Sequence, residues 1–340
     1  MKNKNLIFTT KLVIALIPII AIILYTLLFP MNYLDSEYPA WKYSKDVSSG
    51  HLNPFTKDGP VATIGNVPDD ITVILGDSRA MAALDPTLFS KKTVNLAVGG
   101  GTSIEMYYTL NRYIKNNGSP ENVIIMFAPF HYSIIDNFFE RDLFFNYLTV
   151  PELYDLYGNA HATGSETLLR DNYIEEIISC RLRTPNKYLP PLINAGVYMR
   201  KASNQKSLET IKSQYGHALF GTLDGCSDLN YETSYSKMHD TKDAVLLDIY
   251  LLKLLDLCKK NNISVTLSAP PMNASSYEAL QDSYVKEYTE YIENIASKFT
   301  EFTIDSGISY MDDSYFGDAS HLNGKGSAEF TKTFCEMFGY

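Results

Sequence analysis

The sequence predicts an α/β protein: a doubly wound parallel sheet with an N-terminal transmembrane helix and a helical insertion. Three observations point there. Short apolar, β-branched runs recur at 71–75, 94–97, 123–127, 263–267 and 302–304. Stretches with apolar residues at helical spacing alternate with them, at 103–116, 244–260, 277–299 and 326–338. Continuously apolar strands belong to a parallel sheet covered on both faces, and β–α alternation supplies its crossovers. The third observation is a charge-free apolar run at 12–29.

That run comes first in the chain. Its eighteen residues extend ~27 Å as a helix, close to the thickness of a bilayer core. Lys2, Lys4 and Lys11 precede it, which places residues 1–11 in the cytoplasm as a short tail. The run is longer than the apolar region of a signal peptide, and no small-x-small site follows. Residues 12–30 therefore read as an uncleaved anchor, apolar on every face, with the rest of the chain extracytoplasmic. Residues 31–70 are polar and rich in Pro, Gly, Ser and Tyr, the composition of a stalk. Trp41, the only tryptophan, belongs either at the membrane interface or against the domain.

Residues 71–340 then read as one α/β domain, interrupted at about 134–240. The interruption holds the aromatic pairs Phe138-Phe139 and Phe144-Phe145 and helix-like pieces at 166–179 and 208–214. It is far longer than a plain crossover needs. Placed after the third strand, it emerges at the carboxyl edge of the sheet, where open α/β sheets bind ligands. It is either a cap over that site or a peripheral subdomain.

Composition removes several classes of function. The net charge is -10, with no Lys/Arg cluster beyond the N-terminus, so no nucleic-acid partner is expected. Cysteines 180, 226, 258 and 335 show neither C-x-x-C nor metal spacing. Cys258 lies in an apolar helical run, and an exported domain would allow Cys180 to pair with Cys226. The glycines at 99–101 lack a following G-K-S/T, so no phosphate loop is present. No metal and no cofactor are expected.

The chemistry concentrates in two places. Gly76-Asp77-Ser78-Arg79 directly follows the first apolar run, and Asp318 precedes His321 by three residues near the C-terminus. A serine at a strand-to-helix turn exposes its hydroxyl, a histidine can take its proton, and a carboxylate can hold that histidine in the right tautomer. Serine is also a common helix N-cap, but the distant Asp-x-x-His favours a nucleophile. Asp77 is expected to hold the turn. Arg79 is expected either in a salt bridge or gripping an anionic substrate group. His131 reads as structural or catalytic, and His51, His161, His217 and His239 show no partner in the sequence.

With these blocks the chain resembles the SGNH/GDSL hydrolase superfamily over about residues 71–338. The carrying motifs are Gly76-Asp77-Ser78, the run Asn95-Leu96-Ala97-Val98-Gly99-Gly100-Gly101-Thr102-Ser103, Asp318-x-x-His321, and His321-Leu322-Asn323-x-x-Gly326. The resemblance implies a flavodoxin-like three-layer sandwich with Ser78 as nucleophile, His321 as base and Asp318 as its orienting carboxylate. It also implies an oxyanion hole from the backbone N–H groups of Ser78 and Gly100, with Gly99 the alternative register. One block departs. The third strand ends Phe127-Ala128-Pro129-Phe130-His131-Tyr132, without the family's asparagine. Losing one oxyanion donor costs roughly 10²–10³ in rate; His131, Tyr132 and Asn273 are the candidate replacements.

With its anchor, the chain is similar to membrane-tethered SGNH proteins of cell-surface polysaccharide and teichoic acid acylation. That similarity implies an acyl esterase or O-acyltransferase. Its substrate would be an acylated glycan or teichoic acid, and its partner a membrane-bound O-acyltransferase. A catalytically inactive surface protein of the same fold and a lipid esterase are the alternatives.

Overall fold

The computed structural model describes residues 2–29, 34–56, 70–238 and 241–340. Helix α1 spans Lys2–Leu28 and α2 Tyr38–Ser48; then come β1 Thr72–Gly76, α3 Ser78–Ala83, β2 Thr93–Asn95, α4 Ser103–Asn117 and β3 Asn122–Met126. The insertion contributes α5 Val150–Thr163, α6 Tyr173–Arg181, α7 Pro185–Val197 and α8 Arg200–Ser213. The chain closes with α9 Lys242–Lys260, β4 Ser264–Ser268, β5 Met272–Asn273, α10 Ala274–Glu278, α11 Asp282–Lys298, β6 Thr303–Ile304, β7 Tyr310–Met311 and α12 Gly324–Phe338.

Five strands form one parallel sheet in the order β2-β1-β3-β4-β6. β1, β3 and β4 are its centre, and Val73, Ile74, Val123, Ile124, Ile125 and Leu267 are fully buried there. That burial on both faces explains why the runs read as continuous rather than alternating. The order reverses beside β1, and at such a switch point the loops at the strands' carboxyl ends part to leave a crevice. β5 and β7 form a separate two-stranded parallel pair.

Two apolar clusters flank this frame. One wraps the sheet with α11, α12 and the apolar face of α9. The other joins α4 and α9 to the insertion through Phe138, Phe139, Tyr147, Leu156 and Tyr188. Each helix start that matters here has a chemical cause. Thr102 and Glu105 form a capping box at α4, and Asn323 caps α12 by accepting from Lys325 and Gly326 N–H.

Several expectations change. Residues 34–56 are not a free stalk: α2 packs on α4 and α8, and Trp41 is 1% exposed. Trp41 meets Tyr147 edge-on at 4.8 Å. A tyrosine-rich segment hides its apolar face at helical spacing, which composition alone misses. The remainder of the expected stalk, 31–33 and 57–69, lies outside the described residues. The tail at 2–11 continues α1 as helix. The helix expected at 277–299 is broken at 279–281 into α10 and α11. The insertion helix expected at 166–179 starts at Tyr173, and the one expected at 208–214 is the end of α8. α7 was hidden by Pro190 and Pro191 inside it. All four cysteines are free. Cys180 and Cys226 sit in different clusters and do not pair.

Among the described residues, one helix is long and apolar enough to cross a membrane. It is Lys4–Leu28, whose 18-residue apolar window has a mean hydropathy of 2.6 and is not buried.

Candidate active site

β1 delivers Ser78. Asp77, in extended conformation, ends the strand, and its Oδ1 accepts from the N–H groups of Arg79 (2.9 Å) and Ala80 (3.2 Å). Its Oδ2 accepts from Ala128 N–H at 2.9 Å, tying the turn to the end of β3. The chain therefore turns sharply into α3 and lifts the Ser78 side chain out of the sheet. Asn95 braces the other side of α3, donating to Ala80 O and Leu84 O at 3.1 Å each.

α12 and its preceding loop deliver the partner. His321 Nε2 lies 2.8 Å from Ser78 Oγ, across 243 residues of sequence. His321 Nδ1 lies 2.9 Å from both Asp318 oxygens. Asp318 Oδ1 also accepts from Ser320 and His321 N–H at 2.8 Å each. Half-burial raises the Asp318 pKa, but the hydrogen bond and charge of His321 and these two N–H groups outweigh it and hold the carboxyl below its ordinary value. An ionised Asp318 fixes the proton on Nδ1, so Nε2 faces Ser78 as an acceptor.

The turn after β2 carries Gly100, the expected oxyanion donor. Val98 N–H bonds Gly76 O and Gly101 N–H bonds Val98 O, while Ser78 N–H and Gly100 N–H take no part in these turns. Gly100 has φ +71°, and a Cβ there would lie 2.5 Å from Arg141 Nη1. The left-handed backbone favours glycine here, whereas the guanidinium, at the end of a flexible side chain, could shift. Arg141 pairs with Glu37 (Nε–Oε2, 2.6 Å) and donates to Gly99 O at 3.3 Å. It brings a guanidinium against the turn at Gly99 and Gly100.

The replacements expected for the missing asparagine do not serve. Asn273 is fully buried, caps α10 and donates to Cys226 O and Asp228 O, away from Ser78. Tyr132 is buried in the core, packed on Phe127 and Tyr291. His131 does line the cavity, but its Nδ1 lies 3.0 Å from Gly101 O. A carbonyl only accepts, so Nδ1 carries the proton; burial lowers the ring's pKa to about 4 and keeps it neutral. Nε2 is then an acceptor and cannot hold an oxyanion. Arg79 also lines the cavity, and its Nη1 sits 2.7 Å from Glu232 Oε1 in a buried salt bridge. Of the other histidines, His217 joins Ala82 O and Ser327 Oγ, and His161 joins Tyr173 Oη. His239 lies outside the described residues.

Sequence reasoning missed what the insertion gives the site. Glu232, Phe220 and Tyr231 all come from it. Phe220 lies over His321 with ring centroids 4.8 Å apart. Leu223 N–H bonds Gly317 O and Cys226 N–H bonds Asp313 O, so this strand-like segment braces the loop bearing Asp318. The only sequence signal was Gly221. A Cβ there would lie 2.0 Å from the Gly317 carbonyl carbon, because the two backbones touch. Ser78, His321, Gly100 and Phe220 line a cavity of about 170 Å³. A larger groove of about 640 Å³ adjoins it and shares Glu37, Gly99 and Phe220.

No family model matches the chain, and no curated protein matches it.

Proposed function

We propose that this chain is a membrane-anchored serine acyl esterase or O-acyltransferase of the SGNH/GDSL type. It acts outside the membrane on an acylated cell-surface glycan or teichoic acid. The observation that carries the reading is the unbroken hydrogen-bond chain Ser78–His321–Asp318, opening on a cavity at the carboxyl end of β1. The strand order and the position of Ser78 support the three-layer sandwich of that superfamily. The apolar α1 and Lys2, Lys4 and Lys11 support a cytoplasmic N-terminus with the domain outside.

The steps follow from the geometry. Ser78 Oγ attacks the acyl carbonyl carbon as His321 Nε2 takes its proton, and the tetrahedral oxyanion is held by Ser78 and Gly100 N–H. Asp318 stabilises the imidazolium. Collapse breaks the bond to the leaving alkoxide, which takes the proton from His321 and departs as an alcohol, leaving acyl-Ser78. A second hydroxyl, of water or of a sugar, gives its proton to His321 and attacks the acyl carbon. Collapse then returns the proton to Ser78 Oγ and frees the acid or the new ester. The 640 Å³ groove beside the nucleophile favours a large acceptor, and with it transfer. A membrane-bound O-acyltransferase would supply the acyl donor.

A fluorophosphonate probe tests the nucleophile. The full chain in detergent should label stoichiometrically, and Ser78→Ala should not label at all. A folded wild-type chain that labels no faster than Ser78→Ala would remove the enzymatic reading and leave a binding protein of the same fold.

A further inference from the structure

The insertion presents an apolar face that no other part of the described chain covers. On α6, Ile174 and Ile178, followed by Leu182 just beyond the helix, stand at four-residue intervals and are 58%, 51% and 57% exposed. On α7 and directly after it, Ile193, Val197, Tyr198 and Met199 are 59–72% exposed. Their opposite faces are firmly seated: Cys180, Tyr188 and Ala195 are buried, and Tyr188 Oη donates to Phe144 O at 2.8 Å. The hairpin is therefore docked, with its apolar side outward. Single exposed aliphatics are ordinary on a soluble surface; a clustered set on two adjoining helices is not.

Its position identifies the occupant. The turn between α6 and α7 carries Arg183, whose Nη1 donates to Leu27 O and Phe29 O at 3.0 Å each. These carbonyls lie at the end of α1, the helix long and apolar enough to span a membrane. The exposed stripe thus begins where the membrane helix ends. Residues 171–201 hold five basic and three acidic side chains in a chain of net charge -10.

We propose that the α6–α7 hairpin is a second, monotopic membrane contact. It lies in the headgroup–acyl boundary of the leaflet from which α1 emerges. Ile174, Ile178, Leu182, Ile193 and Val197 meet acyl chains, Tyr198 sits at headgroup level, and Arg200 and Lys201 meet anionic headgroups. Two contacts, one spanning and one lying flat, fix the domain's orientation, which a single helix does not. The proposal rests on α1 spanning the bilayer and is independent of the chemistry at Ser78.

The test uses the full chain in proteoliposomes of phosphatidylcholine and phosphatidylglycerol, with and without lipids brominated along their acyl chains. Tryptophan is placed singly by Ile178→Trp and Val197→Trp on the hairpin, by Ile17→Trp in α1, and by Met337→Trp on α12, where Met337 is 66% exposed. The native Trp41 is buried and supplies a constant background. Brominated lipid should quench both hairpin positions several-fold more than Met337→Trp, with Ile17→Trp showing that the anchor is inserted. Quenching at Ile17→Trp alone overturns the proposal. So does shielding of both hairpin tryptophans from aqueous acrylamide without quenching by lipid, which would mean that a protein surface covers the face.

Discussion

At the scale of single residues, the site is a set of buried charges whose partners come from far along the chain. Arg79 follows Ser78 and meets Glu232 of the insertion. Burial pushes the Glu232 carboxyl upward, and the Arg79 charge holds it back. Removing one member of such a pair strands the other, at a cost of about 3–5 kcal/mol. Arg79→Met should therefore lower thermal stability markedly at pH 8. At pH 5 the loss should be smaller, because Glu232 can then neutralise itself by binding a proton. Thermal unfolding at the two pH values checks this; an equal loss at both would mean that lost packing, not a stranded charge, sets the cost. His131 shows the same logic from the other side. It is conspicuous in sequence, yet its bond to Gly101 O makes it an acceptor where a donor was expected.

At the scale of elements, the start of α4 is joined to the insertion by a pair of buried carboxyls. Glu105 closes the capping box, accepting from Thr102 N and Oγ1 at 2.6 Å each. It also shares a hydrogen bond with Asp142, in the π turn Phe139–Leu143. Burial raises Glu105, against the pull of Thr102; burial and then the Glu105 charge raise Asp142 well above the carboxylate range. The folded chain therefore holds a proton here that the unfolded chain releases at about pH 4. Stability from this pair is whole below that value and is lost as pH rises through the raised folded values. Asp142→Asn imitates the protonated form. Its melting temperature should fall less than that of the wild type between pH 5 and pH 9. Parallel curves for the two proteins would show that the pair is not protonated in the fold. The same pair also sits beside Arg141, which bonds Gly99 O, so the turn after β2 and the insertion are held together.

At the scale of the whole molecule, the insertion helps to build the candidate site. Its segment from Ala218 to Cys226 runs across α3 and the loop bearing Asp318, bonding Met81, Gly317 and Asp313. Gly221 and Gly317 make this close passage, with no room for a side chain. Gly221→Val should displace the loop and slow fluorophosphonate labelling by about tenfold or more, since small misplacements of reacting groups carry large rate costs. The chain should keep its helical circular dichroism. Unchanged labelling would mean that His321 is positioned without the insertion's help. Of the two readings of the insertion, a cap or a peripheral subdomain, the lining of the cavity by Phe220 and Tyr231 agrees better with the first.

The local patterns determined much of this. Buried parallel strands must be apolar throughout, so all five runs were legible, within one or two residues of the observed ends. A helix that is apolar on all faces declares itself in any window of its length. Ser78, Asp318 and His321 were legible because the chemistry of a nucleophile and its base restricts residue type and spacing. What only the tertiary structure decided depends on contacts between segments distant in sequence. The seating of α2, the Arg79–Glu232 pair, the tautomer of His131, the exclusion of Asn273 and the bracing of the Asp318 loop all have this origin. Such contacts leave no period in the sequence, because a buried polar group is defined by the partner that the fold brings to it.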